Sequence, residues 1–302
     1  MESTVGYEKE LQSYIDNEKA AVKLANYVGE LLYSKGVELV LFRNHLLDIT
    51  TSEIINLHDY AEKVVGKKIF ITTTAHLAEV LFGMELSPAK IDIGRLAYEW
   101  IQEGDKFASK TDFLKNKLGG LVDNRDFSIE PRDVVLYGFG RIGRLAAREL
   151  IKQAGKGQQL RLKAIVTRSS SKDEITKRAA LLSQDSVHGA FKGTVKVDYE
   201  NNALILNGQI VKMIAAANPE DIDYTKHGIK DALVIDNTGA FLDRESLSRH
   251  LKSKGVSKVL LTAPGKGIPN IVYGINHFDL DIEGENIFCA ASCSTNAITA
   301  NQ

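Results

Sequence analysis

The residue with the clearest chemical potential is Cys293, which lies in the segment Ala291-Ser292-Cys293-Ser294-Thr295-Asn296. Small hydroxyl residues flank its thiol, and the pattern predicts that a helix begins at or just after the cysteine. The positive end of a helix dipole stabilises a thiolate, the nucleophilic form of cysteine, and the backbone amide of Cys293 could hold a developing oxyanion. A cysteine among small residues is also often a buried packing residue, so this segment alone leaves both interpretations open.

A second segment with chemical potential is the glycine-rich run Gly138-Phe139-Gly140-Arg141-Ile142-Gly143-Arg144, which follows an apolar strand and opens a helix. In such a turn, Gly138 permits a tight bend, Gly140 lets the backbone approach a pyrophosphate, and Gly143 lets the helix pack close to the sheet. The helix N-terminus offers free amides to the phosphates. A purely structural glycine turn is the alternative, but the flanking strand and helix favour a dinucleotide-binding site.

The end of the next strand bears on the choice between NAD and NADP. NAD-binding units of this kind usually end the strand with Asp or Glu, whose carboxylate binds the adenine-ribose hydroxyls. Here the strand continues as Ala164-Ile165-Val166-Thr167-Arg168-Ser169-Ser170-Ser171, with no acidic residue. Arg168 and the serines could bind the 2′-phosphate of NADP, although a solvated arginine in a polar loop is an equally good interpretation. We therefore expect NAD or NADP as the cofactor, with a preference for NADP.

A dinucleotide site followed by an activated thiol predicts one chemistry. The thiolate adds to an aldehyde, the nicotinamide oxidises the adduct, and the product remains on the sulfur as a thioester. The combination is therefore typical of an oxidoreductase that acts on aldehydes.

Composition excludes several other classes of protein. Of the 302 residues, 44% are apolar and 25% are charged, which is typical of a globular chain rather than a disordered one. No apolar run reaches the length of about eighteen residues that predicts a transmembrane helix, and the first nine residues lack the pattern of a secretory signal. The two cysteines, Cys289 and Cys293, are interpreted as reduced thiols, so we expect a cytoplasmic location.

The net charge is −1, but the charge is unevenly distributed. Residues 1–130 contain 15 Lys and Arg against 21 Asp and Glu, whereas residues 131–302 contain 23 against 18. The basic excess of the second part suits a phosphate-bearing ligand but is too diffuse to predict nucleic-acid binding. The histidines of the first part, His45, His58 and His76, lack the spacing of paired metal ligands, so we expect no metal site.

Residues 1–130 are predicted to form an all-helical domain. Apolar residues recur mostly at intervals of three and four between residues 7 and 33, which is the pattern of an amphipathic helix. Further helices are predicted at 51–65, 73–82 and 87–102. The polar stretch at 123–126 marks the expected end of this domain.

Residues 131–302 are predicted to alternate between short apolar strands and helices. Strands are expected at 133–137, 160–167, 195–198, 203–206, 210–214, 232–237 and 259–262, and helices at 142–153, 172–182 and 244–251. This alternation predicts an α/β fold with a doubly wound, mostly parallel sheet and helices on both faces, as in Rossmann dinucleotide-binding domains. The three strands between residues 195 and 214 are predicted to form a meander, because polar turns separate them.

The motifs of the second part also occur together in a known family. Besides the glycine-rich run and the cysteine segment, they are Asp185-Ser186-Val187-His188-Gly189, Asn237-Thr238-Gly239, Thr262-Ala263-Pro264 and Tyr273-Gly274-Ile275-Asn276-His277. In order and spacing, these six motifs resemble those of the phosphorylating glyceraldehyde-3-phosphate dehydrogenases, in particular an extended bacterial subgroup with a preceding segment. Within the cysteine motif, Ser294 is a conservative change.

The resemblance implies a role for individual residues. These roles are pyrophosphate binding for Arg141 and Ile142, the nicotinamide side for Thr238 and Thr262, the nucleophile for Cys293, and the border of the substrate for Ser292, Cys293 and Ser294. The resemblance also implies glyceraldehyde 3-phosphate and inorganic phosphate as substrates, in glycolysis or gluconeogenesis. It further implies a homo-tetramer at full length, without a nucleic-acid or membrane partner.

Several departures from the family pattern affect the prediction. Arg168 stands where an aspartate that binds NAD is usual, and Ala217 stands where a basic residue commonly meets the adenine. In the family, the general-base histidine and the arginines that bind the substrate phosphate follow the nucleophile, whereas only nine residues follow Cys293. We therefore expect a fragment without the catalytic domain, which binds a dinucleotide but shows little turnover.

Two alternatives are open at this point. Erythrose-4-phosphate dehydrogenase shares nearly all of these motifs, so kinetics with both sugar phosphates would separate the two activities. The chain could also be a non-catalytic, dinucleotide-binding regulatory or scaffold protein whose helical domain binds a partner. In that case the Cys293→Ser variant would retain its biological effect.

Overall fold

The computed structural model describes residues 2–63, 65–122, 130–155, 157 and 159–299, with side chains from residue 6 onward. The chain divides into two compact units, Met1–Ile129 and Glu130–Gln302. Each unit is built around hydrophobic clusters of its own. The polar stretch at 123–126, where the sequence places the domain boundary, lies outside the described residues.

The first unit is mainly helical, as the sequence predicts. Its helices are α1 (Glu2–Glu30), α2 (Thr51–Lys63), α3 (Ile71–Phe82), α4 (Ile93–Glu103) and α5 (Lys110–Leu118). Leu24 and Val28 of α1 are buried in the core, because apolar residues at intervals of three and four share one helix face. The predictions for α1, α2 and α3 are confirmed with small shifts at their ends, whereas α5 was not predicted.

The prediction of an all-helical unit needs one correction, because the structure contains a three-stranded sheet. Strand β1 (Val37–Leu41) pairs antiparallel with β2 (Asn44–His45) and parallel with β3 (Ala89–Asp92). The helix predicted at 87–102 therefore begins only at Ile93. A short apolar run such as β1 fits a buried helix and a buried strand equally well, and its parallel partner is distant in sequence.

Asp92 fixes the change from strand to helix at this point. Its carboxylate accepts hydrogen bonds at 3.0 Å from the amide of Arg95, as the N-cap of α4, and from the amide of Phe42 after β1. The cap satisfies a helical amide that would otherwise be unpaired, and it therefore favours a helix start at Ile93.

The second unit contains an eight-stranded sheet and a small separate hairpin. The strands are β4 (Arg132–Tyr137), β5 (Leu160–Thr167), β6 (Gln184–Asp185), β7 (Gly189–Ala190), β8 (Val195–Asp198), β9 (Ala203–Leu206), β10 (Gln209–Ala215), β11 (Ala232–Asp236), β12 (Val256–Leu261) and β13 (Ile287–Cys289). The large sheet has the order β13-β12-β11-β4-β5-β10-β9-β8, and β6 pairs with β7. The strands from β13 to β10 are parallel, and β9 and β8 complete an antiparallel meander.

Helices and loops cover both faces of this sheet, as the sequence predicts. The helices are α6 (Arg141–Gln153), α7 (Lys172–Ser183), α8 (Arg244–Leu251) and α9 (Cys293–Thr299). Val134 and Leu136 of β4 pack in one cluster with residues of α6 and α7, whereas Val135 and Tyr137 pack in a second cluster around Tyr224. This alternation follows from the two-residue period of a strand, and it identifies β4 as a strand that is buried on both faces.

The sheet order places the predicted site residues on one edge. The six parallel strands follow the order of a Rossmann fold, and ligands of such folds bind at the carboxyl ends of the strands, where the strand order reverses. Here the reversal lies between β4 and β11. The segments after β4, β5, β11, β12 and β13 carry Gly138, Arg168, Thr238, Thr262 and Cys293 respectively.

Two kinds of feature are absent from the described residues. No helix there is both long enough and apolar enough to cross a membrane. The same residues contain no group of three or more His, Cys, Asp or Glu side chains that could hold a metal ion.

Candidate dinucleotide and thiol site

The glycine-rich turn between β4 and α6 lies tightly against the turn that follows β11. Gly138 has a φ of +90°, and a Cβ atom there would lie 2.8 Å from Cγ2 of Thr238. A Cβ atom at Gly143 would lie under 3.0 Å from the carbonyl oxygen of Gly138. Packing within the protein therefore requires glycine at both positions.

Gly140 differs from these two glycines because the protein itself does not require it. Its φ is −74°, and a Cβ atom there would meet nothing within 4 Å. The open space adjoins the N-terminus of α6, which begins with the exposed residues Arg141 and Ile142. Free helical amides next to open space are what a pyrophosphate needs, so this part of the structure fits a dinucleotide.

A cleft of about 520 Å³ lies along the carboxyl edge beside this turn. Four predicted cofactor-binding residues, Gly138, Gly140, Arg168 and Thr238, line it. Its volume lies within the range of about 300–1,000 Å³ that is typical of small-molecule sites. Ala217 also lines the cleft, so this wall is apolar where the family pattern has a basic residue.

Arg168 and Arg178 line the same cleft but differ in their partners. Within the described part of the chain, the exposed Arg168 has no hydrogen-bond or ion-pair partner and is available to an anion. Arg178, which sequence reasoning missed, donates to Glu174 at 2.6 Å and to the carbonyl oxygen of Phe139 at 3.0 Å, and so braces the glycine-rich turn. The i, i+4 spacing of Glu174 and Arg178 is the only sequence signal, and many helix surfaces share it.

The nucleophile candidate lies at the first residue of α9, as the sequence predicts. After β13 the chain turns at Ala291, whose φ of +55° is uncommon for a residue other than glycine. α9 then begins at Cys293, which is exposed together with Ser294. This turn directs the chain away from the strand and presents the thiol at the surface.

Side chains of the same motif hold this turn in place. The hydroxyl of Ser292 accepts a hydrogen bond from the amide of Thr295 at 2.9 Å and lies 2.7 Å from the Thr295 hydroxyl. The Asn296 amide group donates to the carbonyl oxygens of Ala290 and Ser292, both at 2.9 Å. Sequence reasoning missed the role of Thr295 and Asn296, since it follows from the turn that precedes them.

The two cysteines have different environments, and both are free thiols, as predicted. Cys289 is buried at the end of β13, where its thiol donates to the side-chain oxygen of Asn270 at 2.8 Å. Cys293 is exposed. Of the two sulfurs, only that of Cys293 is therefore accessible to a substrate in solution.

The thiol segment and the glycine-rich turn lie on the same edge of the sheet but not in the same cleft. β12 and β11 separate β13 from β4, a distance of roughly 14 Å at the usual strand spacing. The amide of Ala290 donates to the carbonyl oxygen of Leu261 at 2.9 Å, which ties the thiol segment to β12. Ser292, Cys293 and Ser294 do not contribute to the lining of the cleft described above.

Comparison with known proteins identifies the family. The sequence model described as "Glyceraldehyde 3-phosphate dehydrogenase, NAD binding domain" matches residues 132–244. A "Glyceraldehyde-3-phosphate dehydrogenase-like protein" of Pseudomonas aeruginosa (strain UCBPP-PA14) is 41% identical over 275 residues, which are 90% of this chain and 59% of that protein. The chain belongs to the glyceraldehyde-3-phosphate dehydrogenase family. It is thus a member of a family of NAD-binding dehydrogenases.

Other members of the glyceraldehyde-3-phosphate dehydrogenase family match a shorter part of the chain. The enzymes of that name from Lactococcus lactis subsp. lactis (strain IL1403) and Zymomonas mobilis subsp. mobilis (strain ATCC 31821 / ZM4 / CP4) are 37% and 36% identical over 55% of this chain, and the matches cover 45% and 46% of their own lengths. The chain thus spans about half of these relatives. The Pseudomonas match is longer than the second unit and therefore extends into the first.

In this member of the glyceraldehyde-3-phosphate dehydrogenase family, Asp236 at the end of β11 organises both threonines of the predicted nicotinamide side. Its carboxylate accepts hydrogen bonds from the amide and the hydroxyl of Thr238, at 2.8 and 2.7 Å. Its backbone carbonyl oxygen accepts hydrogen bonds from the amide and the hydroxyl of Thr262, both at 3.0 Å. The two predicted threonines are therefore held together by one residue that sequence reasoning missed.

Asp236 is itself paired with His250 of α8. The second carboxylate oxygen lies 2.9 Å from Nε2 of His250, and neither side chain has any exposed surface. The rings of Tyr137 and Phe241 lie edge-on to the imidazole, with centroids at 4.7 and 5.7 Å. Burial, with a smaller contribution from the charge of Asp236, raises the pKa of Tyr137 to about 12.

A second buried carboxylate, Asp185, fixes the start of α6. It accepts hydrogen bonds from the amides of Val187 and His188, both at 3.0 Å, and from Arg144 at 2.9 Å. These donors, the His188 amide foremost, hold the pKa of the Asp185 carboxyl well below its ordinary value. Nε of Arg141, the residue that the family resemblance assigns to the pyrophosphate, lies 4.0 Å from the same carboxylate.

Proposed function

We propose that this chain supplies the dinucleotide site and the nucleophilic thiol for the NAD(P)-dependent, phosphorylating oxidation of glyceraldehyde 3-phosphate. The observation that carries the proposal is the exposed thiol of Cys293 on the same carboxyl edge as the dinucleotide cleft. The names of the relatives support the substrate. We also propose a cytoplasmic location, a role in central carbon metabolism and assembly as a homo-tetramer.

The proposed reaction begins at the sulfur of Cys293, which adds to the aldehyde carbon to form a hemithioacetal. A bound nicotinamide would accept a hydride from that carbon, and the sulfur would then carry a thioester. Inorganic phosphate displaces the sulfur, which releases an acyl phosphate and restores the thiol. In total, one aldehyde, one NAD(P)⁺ and one phosphate give one acyl phosphate, one NAD(P)H and one proton.

The motif residues next to Cys293 differ in what they can contribute. The Ser292 hydroxyl is engaged as the cap of α9, so we propose that it orients the nucleophile rather than binds the substrate. Ser294 is exposed beside the thiol and is the better candidate for a direct substrate contact. Thr295 and Asn296 stabilise the turn from within.

A single-turnover experiment tests the proposed reaction on the chain itself. The protein is incubated with glyceraldehyde 3-phosphate and NAD⁺ or NADP⁺ without phosphate, and peptide mass spectrometry measures acylation of Cys293. We expect an adduct that requires both reagents and disappears when phosphate is added. Because the acyl-enzyme accumulates when phosphate is absent, this measurement detects the reaction even when its first step is slow.

The same experiment separates the alternatives. Faster acylation by erythrose 4-phosphate than by glyceraldehyde 3-phosphate would assign the chain to the erythrose-4-phosphate activity. Dinucleotide binding without any acylation of Cys293 would contradict both enzymatic proposals. That result would favour a non-catalytic, dinucleotide-binding regulatory or scaffold role.

We further propose that Arg168 gives the site a preference for NADP. The Arg168→Asp variant is expected to raise the Kd for NADPH about 10- to 100-fold. This increase corresponds to the loss of a hydrogen bond between charged groups together with the new repulsion between the carboxylate and the 2′-phosphate. The Kd for NADH should stay the same or fall, because a carboxylate at this position can accept hydrogen bonds from the ribose hydroxyls. Equilibrium titration of dinucleotide fluorescence measures both constants.

Arg161 provides the matched control for this substitution. It lies at the opposite end of β5 from Arg168, is also exposed, and contacts the carbonyl oxygen of Gly157 rather than the cleft. The Arg161→Asp variant changes the net charge by the same amount and should leave both constants unchanged. An unaltered Kd for NADPH in Arg168→Asp would contradict the proposed preference.

A further inference from the structure

The buried pair Asp236–His250 consists of polar side chains at a position where packing alone would not require them. Both side chains are completely buried, and Nδ1 of His250 has no hydrogen-bond partner among the described residues. Since Nε2 lies 2.9 Å from the carboxylate, the tautomer that satisfies the pair carries its proton on Nε2 and leaves Nδ1 as a bare acceptor. Burying a polar pair that is only partly satisfied costs stability, so its place in the fold calls for another explanation.

The other hydrogen bonds of the Asp236 carboxylate provide this explanation. One carboxylate oxygen accepts from His250, while the other accepts two hydrogen bonds from Thr238. These bonds fix the Thr238 side chain so that its methyl group lies against Gly138 of the glycine-rich turn. His250 thus orients Asp236, Asp236 orients Thr238, and Thr238 forms part of the cleft wall at the point where the strand order reverses.

The same residue also connects the cleft with the thiol segment. The carbonyl oxygen of Asp236 receives both donors of Thr262, and the preceding residue, Leu261, receives the amide of Ala290. A displacement of the end of β11 would therefore move the cleft wall and the segment that leads to Cys293 together. Asp236 therefore links the cleft to the thiol segment.

The topology indicates which half of a dinucleotide this arrangement serves. A Rossmann sheet consists of two mononucleotide-binding halves, which here are β4, β5 and β10 on one side and β11, β12 and β13 on the other. Arg168 follows β5 and belongs to the first half, whereas Thr238 and Thr262 follow β11 and β12 and belong to the second.

We propose that Asp236 and His250 are positioning residues for the second half of the dinucleotide site. They hold Thr238 and Thr262 in the arrangement that receives the nicotinamide half of the ligand, and they make no contribution to the adenosine half. The inference rests on the proposed dinucleotide site but not on the aldehyde chemistry. It can therefore be tested by binding alone.

The experiment compares two ligands on the full chain. ADP reports on the first half of the site, and NADH or NADPH, whichever the parent binds more tightly, reports on both halves. The His250→Leu variant is expected to raise the Kd for the dinucleotide about tenfold, the usual value of one hydrogen bond to a charged group. The Kd for ADP should change less than about twofold, which lies within the effect of an ordinary distant substitution.

Two further variants separate positioning from a structural role. His250→Gln can still donate a hydrogen bond to Asp236 and should recover most of the dinucleotide affinity. Thr238→Val keeps the buried pair and the methyl contact with Gly138 but removes the hydroxyl donor to Asp236. It should weaken dinucleotide binding without weakening ADP binding, and it keeps the test decisive if the His250 variants do not fold.

Tyr224→Phe is the matched control in the same core. Tyr224 is completely buried, and its hydroxyl has no partner among the described residues, so its removal should leave both constants unchanged. Parallel losses of ADP and dinucleotide affinity, or unchanged affinities in folded His250→Leu and Thr238→Val, would overturn the positioning role. A parent chain that binds neither ligand would contradict the proposed dinucleotide site and the inference with it.

Discussion

The Gly143→Ala variant is expected to lose dinucleotide binding and to unfold at a clearly lower temperature. Its Cβ atom would meet the carbonyl oxygen of Gly138 at well under 3.0 Å, and a backbone atom cannot move aside as the end of a flexible side chain can. Overpacking typically lowers the free energy of unfolding by about 1–3 kcal/mol, and we expect a clash with a backbone atom to lie near the upper limit of this range. The corresponding decrease in the unfolding midpoint is roughly 5–10 °C, measured by circular dichroism.

Gly140→Ala separates the effect on binding from the effect on folding. A Cβ atom there meets nothing within 4 Å and the φ is ordinary, so the unfolding temperature should stay within a degree or two of the parent. Dinucleotide binding should nevertheless weaken strongly, because the methyl group occupies the space next to the N-terminus of α6. Normal dinucleotide binding by Gly140→Ala would contradict the placement of the pyrophosphate at this turn.

Most of the large sheet in the second unit could be predicted from the sequence because its signals are local, although the short strands β6, β7 and β13 were not predicted and β12 begins before its predicted start. The bounds of β5, β8, β9 and α8 are the predicted ones, since short apolar runs there are bounded by polar turns and helix caps. Asp243, for example, caps α8 by accepting from the amide of Ser246. The order of the parallel strands then follows from the glycine-rich turn and from the handedness of strand–helix–strand connections.

The first unit shows where such reasoning fails. β1 is a strand because β3 lies beside it, and the register that pairs Val37 with Ala89 joins residues far apart in sequence. The sequence from Val37 to Leu41 gives no indication of that partner strand. Similarly, Asp92 acts as a helix cap only because a strand ends there.

The candidate site also contains residues that could be predicted from the sequence and residues that could not. Gly138, Gly140, Arg168 and Thr238 could be predicted to lie together, because each follows a strand of one parallel sheet and the structure places all four in one cleft. The residues that hold them could not, because Asp185, Arg178 and His250 reach the site from elements distant in sequence. For the buried pair with His250, the available signal was Asp236 itself, an acidic residue that ends the otherwise apolar strand Ala232–Asp236, since such a residue must find partners when it is buried.

The Cys293→Ser variant is expected to abolish both alkylation by iodoacetamide under native conditions and acylation by the aldehyde, while the Kd for the dinucleotide stays the same. Cys293 is the exposed thiol, and Cys289 is buried with its proton donated to Asn270. A buried thiol reacts only when the structure opens locally. Peptide mass spectrometry should therefore find close to one modified cysteine in the parent and none in the variant.

Cys289→Ser is the matched control, because a serine at this position can still donate to Asn270. It should keep native alkylation at Cys293, and in urea the parent should be modified at both cysteines. Equal native rates at Cys289 and Cys293 would contradict the accessible nucleophile. The sulfur of Cys293 lies outside the cleft lining, so its exchange for oxygen should not disturb a ligand held by the glycine-rich turn. Loss of dinucleotide binding in Cys293→Ser would therefore contradict the separation between the cleft and the thiol segment.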